Sequence, residues 1–177
     1  MKSVLISIRP QWCEKIASGE KTIEVRKTAP QEVPFKCYIY ETKGQYVKFT
    51  HGAHTKYGYV RGKVIGEFIC NLVDEYHYDY CDGVDIDDDT ILETAIDRED
   101  INIYAKGKTL YGWHISDLKI YNNPRELSEF SRPCSYSGLC FSCKRTSFKK
   151  DGNLLCNTKI TRPPQSWMYV EDLGEEK

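Results

Sequence analysis

Six short segments rich in apolar residues constrain the fold of this chain more than any other feature of its sequence. They cover residues 4–8, 22–28, 36–41, 63–73, 111–121 and 165–171. Several of them alternate apolar and polar side chains, which is typical of strands with one buried face. Because few helical patterns lie between them, they predict an α+β fold built on a small mixed β-barrel, not a doubly wound parallel sheet.

The intervening segments carry weaker signals. Pro10 can open a short helix that Gly19 ends, with Trp12 and Ile16 on one face. Thr90 and Glu93 form a candidate capping box for a helix over 91–96. Residues 124–130 predict one or two helical turns. Residues 42–62 are rich in Gly, Lys, His and Tyr and predict a long loop.

Charge is strongly segregated along the 177 residues, although the net charge is only −1. Residues 74–100 contain twelve Asp or Glu and one Arg, so the remainder of the chain is basic. A basic body can attract polyanions locally despite a near-neutral total. A solvated acidic loop on a mixed surface explains the same numbers. We expect one domain over 1–177, with an acidic helical insertion at 74–108 and a cysteine-rich insertion at 132–162.

Several classes of protein do not fit the sequence. The apolar run 4–8 is too short for the core of a signal peptide, and no segment approaches the ~20 apolar residues of a membrane span. No glycine-rich phosphate loop of a recognised kind occurs. We therefore expect a cytoplasmic protein with no membrane partner and no nicotinamide or flavin cofactor.

Four of the eight cysteines follow a metal-site spacing. They are Cys134, Cys140, Cys143 and Cys156. A C-x2-C turn lets two thiolates bind one ion, and two further thiolates complete a tetrahedron. The polar sequence between them cannot form a core of its own, so a structural zinc ion is expected here. A disulfide, free thiols or another metal are the alternatives.

The stretch GEKTIEVR carries the candidate functional residues. Strand alternation places Thr22, Glu24 and Arg26 on one face, with Ile23 and Val25 on the other. Lys21 is suited to phosphate binding or proton transfer, and Arg26 offers a rigid fork of donors. An ordinary ion pair along one strand is the alternative interpretation.

The stretch SIRPQWCEKIASGEKTIEVRKT resembles the signature of the ASCH family, G-x-K-x-x-E-x-R after a short helix. Gly19, Lys21, Glu24 and Arg26 occupy its fixed positions. The later stretches GKVIGEFIC, YGWHISDLKIY and RPPQSWMYVE look like the remaining elements, so the similarity spans nearly the whole chain. It is similar to ASCH proteins often encoded in phages and prophages. The resemblance implies a PUA-like barrel with a cleft for RNA or a nucleobase. The candidate ligand-binding residues are Ser7, Arg9, Trp12, Lys21, Thr22, Glu24, Arg26 and Trp113.

Three functional classes stay open at this point. The first is binding of RNA or a modified nucleoside in the motif cleft. The second is hydrolysis of RNA or of an acylated cytidine, with Lys21 and Glu24 as the catalytic residues. Amidohydrolases of this family are expected to have Thr three residues after the motif Lys, where this chain has Glu24. The third class is a purely protein-interaction role.

Overall fold

A computed structural model describes residues 1–43, 47–51, 54–58, 62–134, 146–148, 154–156 and 158–174. Its main sheet has five strands: β1 (Lys2–Ile8), β3 (Phe35–Glu41), β6 (Val64–Cys70), β11 (Ser116–Arg125) and β14 (Trp167–Val170). Their order across the sheet is β11-β6-β3-β1-β14. The pair β1–β3 is parallel, and the other three pairs are antiparallel. β1 and β3 lie in the middle and are buried along nearly their whole length.

A second sheet has the order β2-β10-β7, formed by β2 (Ile23–Arg26), β10 (Leu110–His114) and β7 (Val73–Tyr76). Three hairpins complete the described strands. They are β4 (Val47–His51) with β5 (His54–Gly58), β8 (Tyr78–Asp79) with β9 (Gly83–Val84), and β12 (Thr146–Phe148) with β13 (Leu154–Cys156). Residues 42–62, predicted to be a loop, therefore contain the β4–β5 hairpin.

The described helices are α1 (Pro10–Ser18), α2 (Asp88–Thr94) and α3 (Arg98–Ala105), with a 3-10 turn at Leu127–Glu129. The predicted start and end of α1 are confirmed, since Pro10 is its first residue and Gly19 ends it with a left-handed φ of 79°. The predicted capping box of α2 is wrong. The helix begins earlier, and Asp87 is its N-cap residue. The Thr90 N–H donates to the Asp87 carboxylate at 2.9 Å.

The two sheets bury one core between them and α1. Its members include Ile6, Phe35, Phe68 and Trp113, together with Ile16 of the helix. A second cluster covers the opposite face of the main sheet around Leu5, Tyr38 and Phe130. A third packs the acidic segment onto the second sheet through Val25, Ile101 and Leu110. Since central strands are covered on both faces, their sequences are nearly continuously apolar.

The predicted α+β class is confirmed, but the described strands form separate sheets with free edges and do not close into a barrel. The chain passes from one sheet to the other inside two segments that were predicted as single strands. Residues 63–73 divide at Asn71 into β6 and β7, and residues 111–121 divide at Ile115 into β10 and β11. None of the described helices is long and apolar enough to cross a membrane.

Candidate ligand-binding cavity

A cavity of about 870 Å³ opens beside the GEKTIEVR stretch, and we call it the larger cavity. Four elements and one loop meet there: the end of β1, the start of α1, strand β2, helix α3 and residues 163–166. Its lining comprises Ser7, Ile8, Arg9, Gln11, Trp12, Glu24, Val25, Arg26, Lys27, Thr42, Ile96, Asp100, Ile103, Tyr104, Lys106, Pro163, Pro164, Gln165 and Ser166. The volume is in the usual range for a small-molecule site.

Glu24 and Arg26 form a fixed pair on the β2 side of this cavity. The Arg26 Nη2 group lies 2.9 Å from Glu24 Oε1 and donates to the Ser7 carbonyl at 2.7 Å. The pair therefore connects β2 to the end of β1. The Nε atom of Arg26 is buried without a hydrogen-bond partner among the described residues. Both side chains are mostly buried yet border the cavity, so their polar edges have defined positions.

Lys21 lies inside the protein and does not line the cavity. Its side chain is fully buried, and its Nζ donates to the carbonyl oxygens of Ile23 at 2.8 Å and Thr94 at 2.7 Å. Glu24 Oε2 lies 3.4 Å from the same nitrogen. Burial lowers the pKa of Lys21, and the Glu24 carboxylate opposes that shift. The ammonium group is thus held by three acceptors and is not free for a ligand.

Two aromatic rings line the cavity, Trp12 from α1 and Tyr104 from α3, and a lysine ammonium group lies near each ring. The Nζ atoms of Lys15 and Lys21 lie 5.7 and 5.5 Å from the ring centre of Trp12, and Lys27 Nζ lies 5.0 Å from that of Tyr104. Such distances allow cation–π attraction. Burial raises the pKa of Tyr104, while the neighbouring Arg26 acts in the opposite direction. The phenol therefore stays neutral near pH 7.

The acidic segment forms one wall of the cavity, which its composition did not indicate. The Thr22 N–H donates to the Glu93 carbonyl at 2.9 Å, and Lys21 donates to Thr94, so the end of α2 is attached to the motif. Helix α3 then presents Ile103 and Tyr104 to the cavity. Ile103 is exposed and Tyr104 is partly exposed, whereas Ile101 and Ala105 of the same helix are buried. This inside–outside alternation is the sequence signal that could have identified the wall.

Residues 163–166 form another part of the lining. The sequence predicted that the last strand begins at residue 165, but β14 begins at Trp167, so Gln165 and Ser166 belong to the loop before it. Ser7 Oγ donates to the Pro164 carbonyl at 2.6 Å, and the Ser7 N–H donates to the Ser166 carbonyl at 2.9 Å. Both bonds fix this loop against β1. The loop has no periodic pattern, so only its contact with Ser7 reveals its place.

The structure brings together five of the eight predicted ligand-binding residues: Ser7, Arg9, Trp12, Glu24 and Arg26 all line the cavity. The remaining three lie elsewhere. Lys21 is buried behind Glu24, and Thr22 is exposed before the start of β2. Trp113 is completely buried, with edge-on contacts to Phe35 and Trp167, so neither face of its ring is open to a base.

The charges around the cavity are predominantly positive. Arg9, Arg26, Lys27 and Lys106 line it, against Glu24 and Asp100. Arg9 is exposed, and its guanidinium has no ion-pair partner among the described residues. Because Glu24 already neutralises Arg26, the other lining cations are available to an anionic ligand.

The predicted zinc site lies partly outside the described residues. Cys140 and Cys143 are not described, and Cys156 ends β13. Cys134 is exposed, and its N–H donates to Glu171 Oε1 at 3.1 Å. The described part of the chain contains no group of three or more metal-ligating side chains. Elsewhere, burial raises the pKa of the Cys37 thiol and raises that of Cys70 to about 12, so both stay neutral.

Comparisons with known proteins identify the fold. No protein-family model and no curated protein matches this chain. Among solved structures it is similar to ASCH from Zymomonas mobilis, with 18% identity, a TM-score of 0.56, and coverage of 96% of this chain and 88% of that chain. Two mutants of that protein give 17% identity and TM-scores of 0.56 and 0.55, covering 97% and 96% of this chain and 91% and 89% of theirs. The likeness extends over nearly the whole chain.

Proposed function

We propose that this chain, which has the fold of the ASCH structures, binds a nucleobase or nucleoside, either free or within RNA, in the larger cavity. One observation carries the proposal: the cavity combines two accessible aromatic rings, Trp12 and Tyr104, with the cations Arg9, Lys27 and Lys106. Single-stranded RNA and nucleosides are recognised by this combination, because bases stack on aromatic rings while phosphates attract cations.

The remaining lining supports the same ligand class. Ile8, Ile96, Ile103 and Val25 supply apolar contacts, and the amides of Gln11 and Gln165 can donate to or accept from the edge of a base. The fixed Glu24–Arg26 pair offers an acceptor and a donor side by side. A site with a few polar groups at defined positions in an apolar wall favours an orientation-specific ligand.

The geometry favours binding over the hydrolase alternative. A nucleophilic or basic lysine must release a proton and reach the substrate, but Lys21 Nζ donates to two carbonyl groups inside the protein. Glu24 is engaged by both Lys21 and Arg26, so its carboxylate is not free to exchange a proton with a substrate. Incubation with N4-acetylcytidine tests this choice, and release of cytidine would contradict it.

Replacing the ring of Tyr104 tests the proposal. Tyr104→Ala is expected to weaken binding of a cytidine or adenosine monophosphate by roughly tenfold or more, since stacking contributes about 1–3 kcal/mol per base. Isothermal titration calorimetry measures the affinity. Tyr80→Ala is the matched control, because Tyr80 is 87% exposed and lies outside the cavity. If neither nucleoside monophosphates nor short RNAs bind the wild-type protein, the proposed function is wrong.

We further propose that Cys134, Cys140, Cys143 and Cys156 hold a structural zinc ion. The support is their spacing, the exposed and unpaired thiol of Cys134, and the pairing of β12 with β13, which places Cys156 opposite Thr146, three residues after Cys143. Elemental analysis of purified protein is expected to give about one zinc per chain, lost in Cys143→Ser. Cys81→Ser, at another exposed free cysteine, should retain the metal. Metal-free wild-type protein would contradict the proposal.

A further inference from the structure

Three consecutive carbonyl groups at the end of α2 accept hydrogen bonds from α1 and from the motif segment that follows it. The three bonds are Thr22 N–H to Glu93 at 2.9 Å, Lys21 Nζ to Thr94 at 2.7 Å and Lys15 Nζ to Ala95 at 3.4 Å. The C-terminal end of a helix carries a partial negative charge, which suits two ammonium groups. The exact course of the chain at this helix end therefore decides how the acidic segment meets the motif.

The side chain of Thr94 fixes the turn on which this alignment depends. Thr94 is completely buried, and its Oγ1 donates to the Ile91 carbonyl at 2.7 Å and accepts from the Ile96 N–H at 3.2 Å. Between these two contacts lies Ala95, whose φ of 54° is left-handed. A residue other than Gly keeps this conformation only where neighbouring contacts impose it. The Thr94 hydroxyl supplies such contacts, because it bonds to the backbone on both sides of Ala95.

This turn determines the position of two parts of the cavity lining. The chain that leaves it supplies Ile96 and then α3, which contributes further lining residues. The carbonyl of Thr94, at the start of the turn, holds the ammonium group of Lys21, and Lys21 contacts Glu24 on the β2 side of the cavity. A change in the turn would therefore move the α3 wall and release the buried contact behind Glu24 at the same time.

We propose that Thr94 is a positioning residue for ligand binding in the larger cavity. Its side chain does not line the cavity, so it acts through the turn between α2 and α3 and does not touch the ligand. A binding site is selective only when contacts outside its lining hold the lining groups in place. This inference rests on the proposed function and deepens it, because it makes a hydroxyl group of the acidic segment necessary for the geometry of the site.

Removing the Thr94 hydroxyl tests the inference. Thr94→Val keeps the branched shape and should lower the affinity for cytidine monophosphate by roughly tenfold, because stacking on Tyr104 depends on the position of α3. Thr94→Ser keeps the hydroxyl and should bind within about twofold of wild type. Thr90→Val is the matched control: Thr90 Oγ1 donates to Asp87 at 2.7 Å at the other end of α2, outside the cavity. Isothermal titration calorimetry measures all four affinities.

The pKa of Lys21 gives a second measurement that needs no ligand. Nuclear magnetic resonance follows it through the Cε and Hε signals of the lysine during a pH titration. In Thr94→Val the pKa should be lower than in the wild-type protein, because the ammonium group loses a well-placed acceptor. In Thr90→Val it should be unchanged. A general loss of stability would not separate the two variants in this way.

The possible results separate this inference from the proposed function. If Thr94→Val and Thr90→Val bind equally well, or if Thr94→Ser is as weak as Thr94→Val, the positioning role is wrong while the base-binding cavity stands. If the wild-type protein binds no cytidine monophosphate, the proposed function loses its support, and an unchanged Lys21 pKa in Thr94→Val would overturn the positioning role as well. If Thr94→Val does not fold, Thr94→Ser and Thr94→Ala, which differ only in the hydroxyl, give the same comparison.

Discussion

Lys21 has a structural task that its place in the motif does not suggest. Its ammonium group joins three parts of the chain: β2 through the Ile23 carbonyl, the end of α2 through the Thr94 carbonyl, and the cavity wall through Glu24. A buried cation of this kind is costly to desolvate, and breaking its contacts leaves several acceptors without a donor. We therefore interpret Lys21 as the residue that positions Glu24 and attaches the acidic segment.

Replacing Lys21 should destabilise the protein strongly. Lys21→Ala is expected to lower the free energy of unfolding by about 3–5 kcal/mol, because Glu24 and two carbonyl groups lose a buried partner. Urea denaturation followed by circular dichroism measures the change. Lys2→Ala is the control, since Lys2 forms an exposed ion pair with Glu32 and should unfold like the wild-type protein. Equal stability of both variants would show that Lys21 has no anchoring role.

Strand periodicity predicts part of this arrangement and not the rest. It places Glu24 and Arg26 on one face of β2, and both side chains line the larger cavity. Strand periodicity cannot predict the position of Lys21. Its ammonium group contacts Ile23 and Glu24 nearby, but its third contact is the carbonyl of Thr94, 73 residues later in the chain. Trp113 was predicted to bind the ligand but is completely buried. An aromatic residue on a strand can face either the core or a cavity, and the sequence does not distinguish the two.

Among the elements, the strands of the main sheet were the most predictable. β1 and β3 have continuous apolar runs, and their observed bounds differ from the predicted ones by two residues or fewer. The crossings at Asn71 and Ile115 were not predictable, because alternation continues through a bend between two sheets. The β4–β5 hairpin was missed because its sequence is mostly polar, so its hydrophobic pattern gives no clear strand signal.

The C-terminal segment is attached to β3 by a hydrogen bond whose strength depends on pH. Tyr38 Oη donates to Asp172 Oδ1 at 2.6 Å and accepts from the Leu173 N–H at 3.1 Å. Burial, followed by the bond to Asp172, raises the pKa of Tyr38 above the usual phenol value near 10. Its contribution to stability is therefore complete below about pH 10 and is lost as the pH rises further.

Tyr38→Phe should remove part of the alkaline destabilisation. At pH 7 we expect a loss of about 1–2 kcal/mol in the free energy of unfolding, because Asp172 loses a donor. Between pH 9 and pH 11 the variant should lose less stability than the wild-type protein, since Phe cannot ionise. Denaturation midpoints across this range measure the slope. Tyr80→Phe, at an exposed tyrosine, should keep the wild-type slope; an identical slope in Tyr38→Phe would disprove the assignment.

At the scale of the whole molecule, the net charge of −1 conceals a cavity with an excess of cations. All twelve acids of residues 74–100 are described, and Asp100 is the member of that group that lines the larger cavity. The acidic segment contributes apolar residues and Lys106 to the wall, while most of its carboxylates lie elsewhere. Composition alone could not show which residues of this segment line the cavity and which only carry charge. That distinction depends on which face of α3 is buried, and the buried face is the one with Ile101 and Ala105.

The uneven charge distribution predicts that RNA affinity depends on salt. Each phosphate neutralised on a single strand contributes about −0.7 to the slope of the logarithm of the association constant against the logarithm of salt concentration. If Arg9, Lys27 and Lys106 contact phosphates, a pentaribonucleotide should give a slope of about −2. Arg9→Ala should reduce its magnitude by about 0.7, since its guanidinium has no ion-pair partner among the described residues. Lys119→Ala should not change it. Fluorescence anisotropy from 50 to 300 mM salt measures these slopes, and a wild-type slope near zero would leave stacking and hydrogen bonds as the source of affinity.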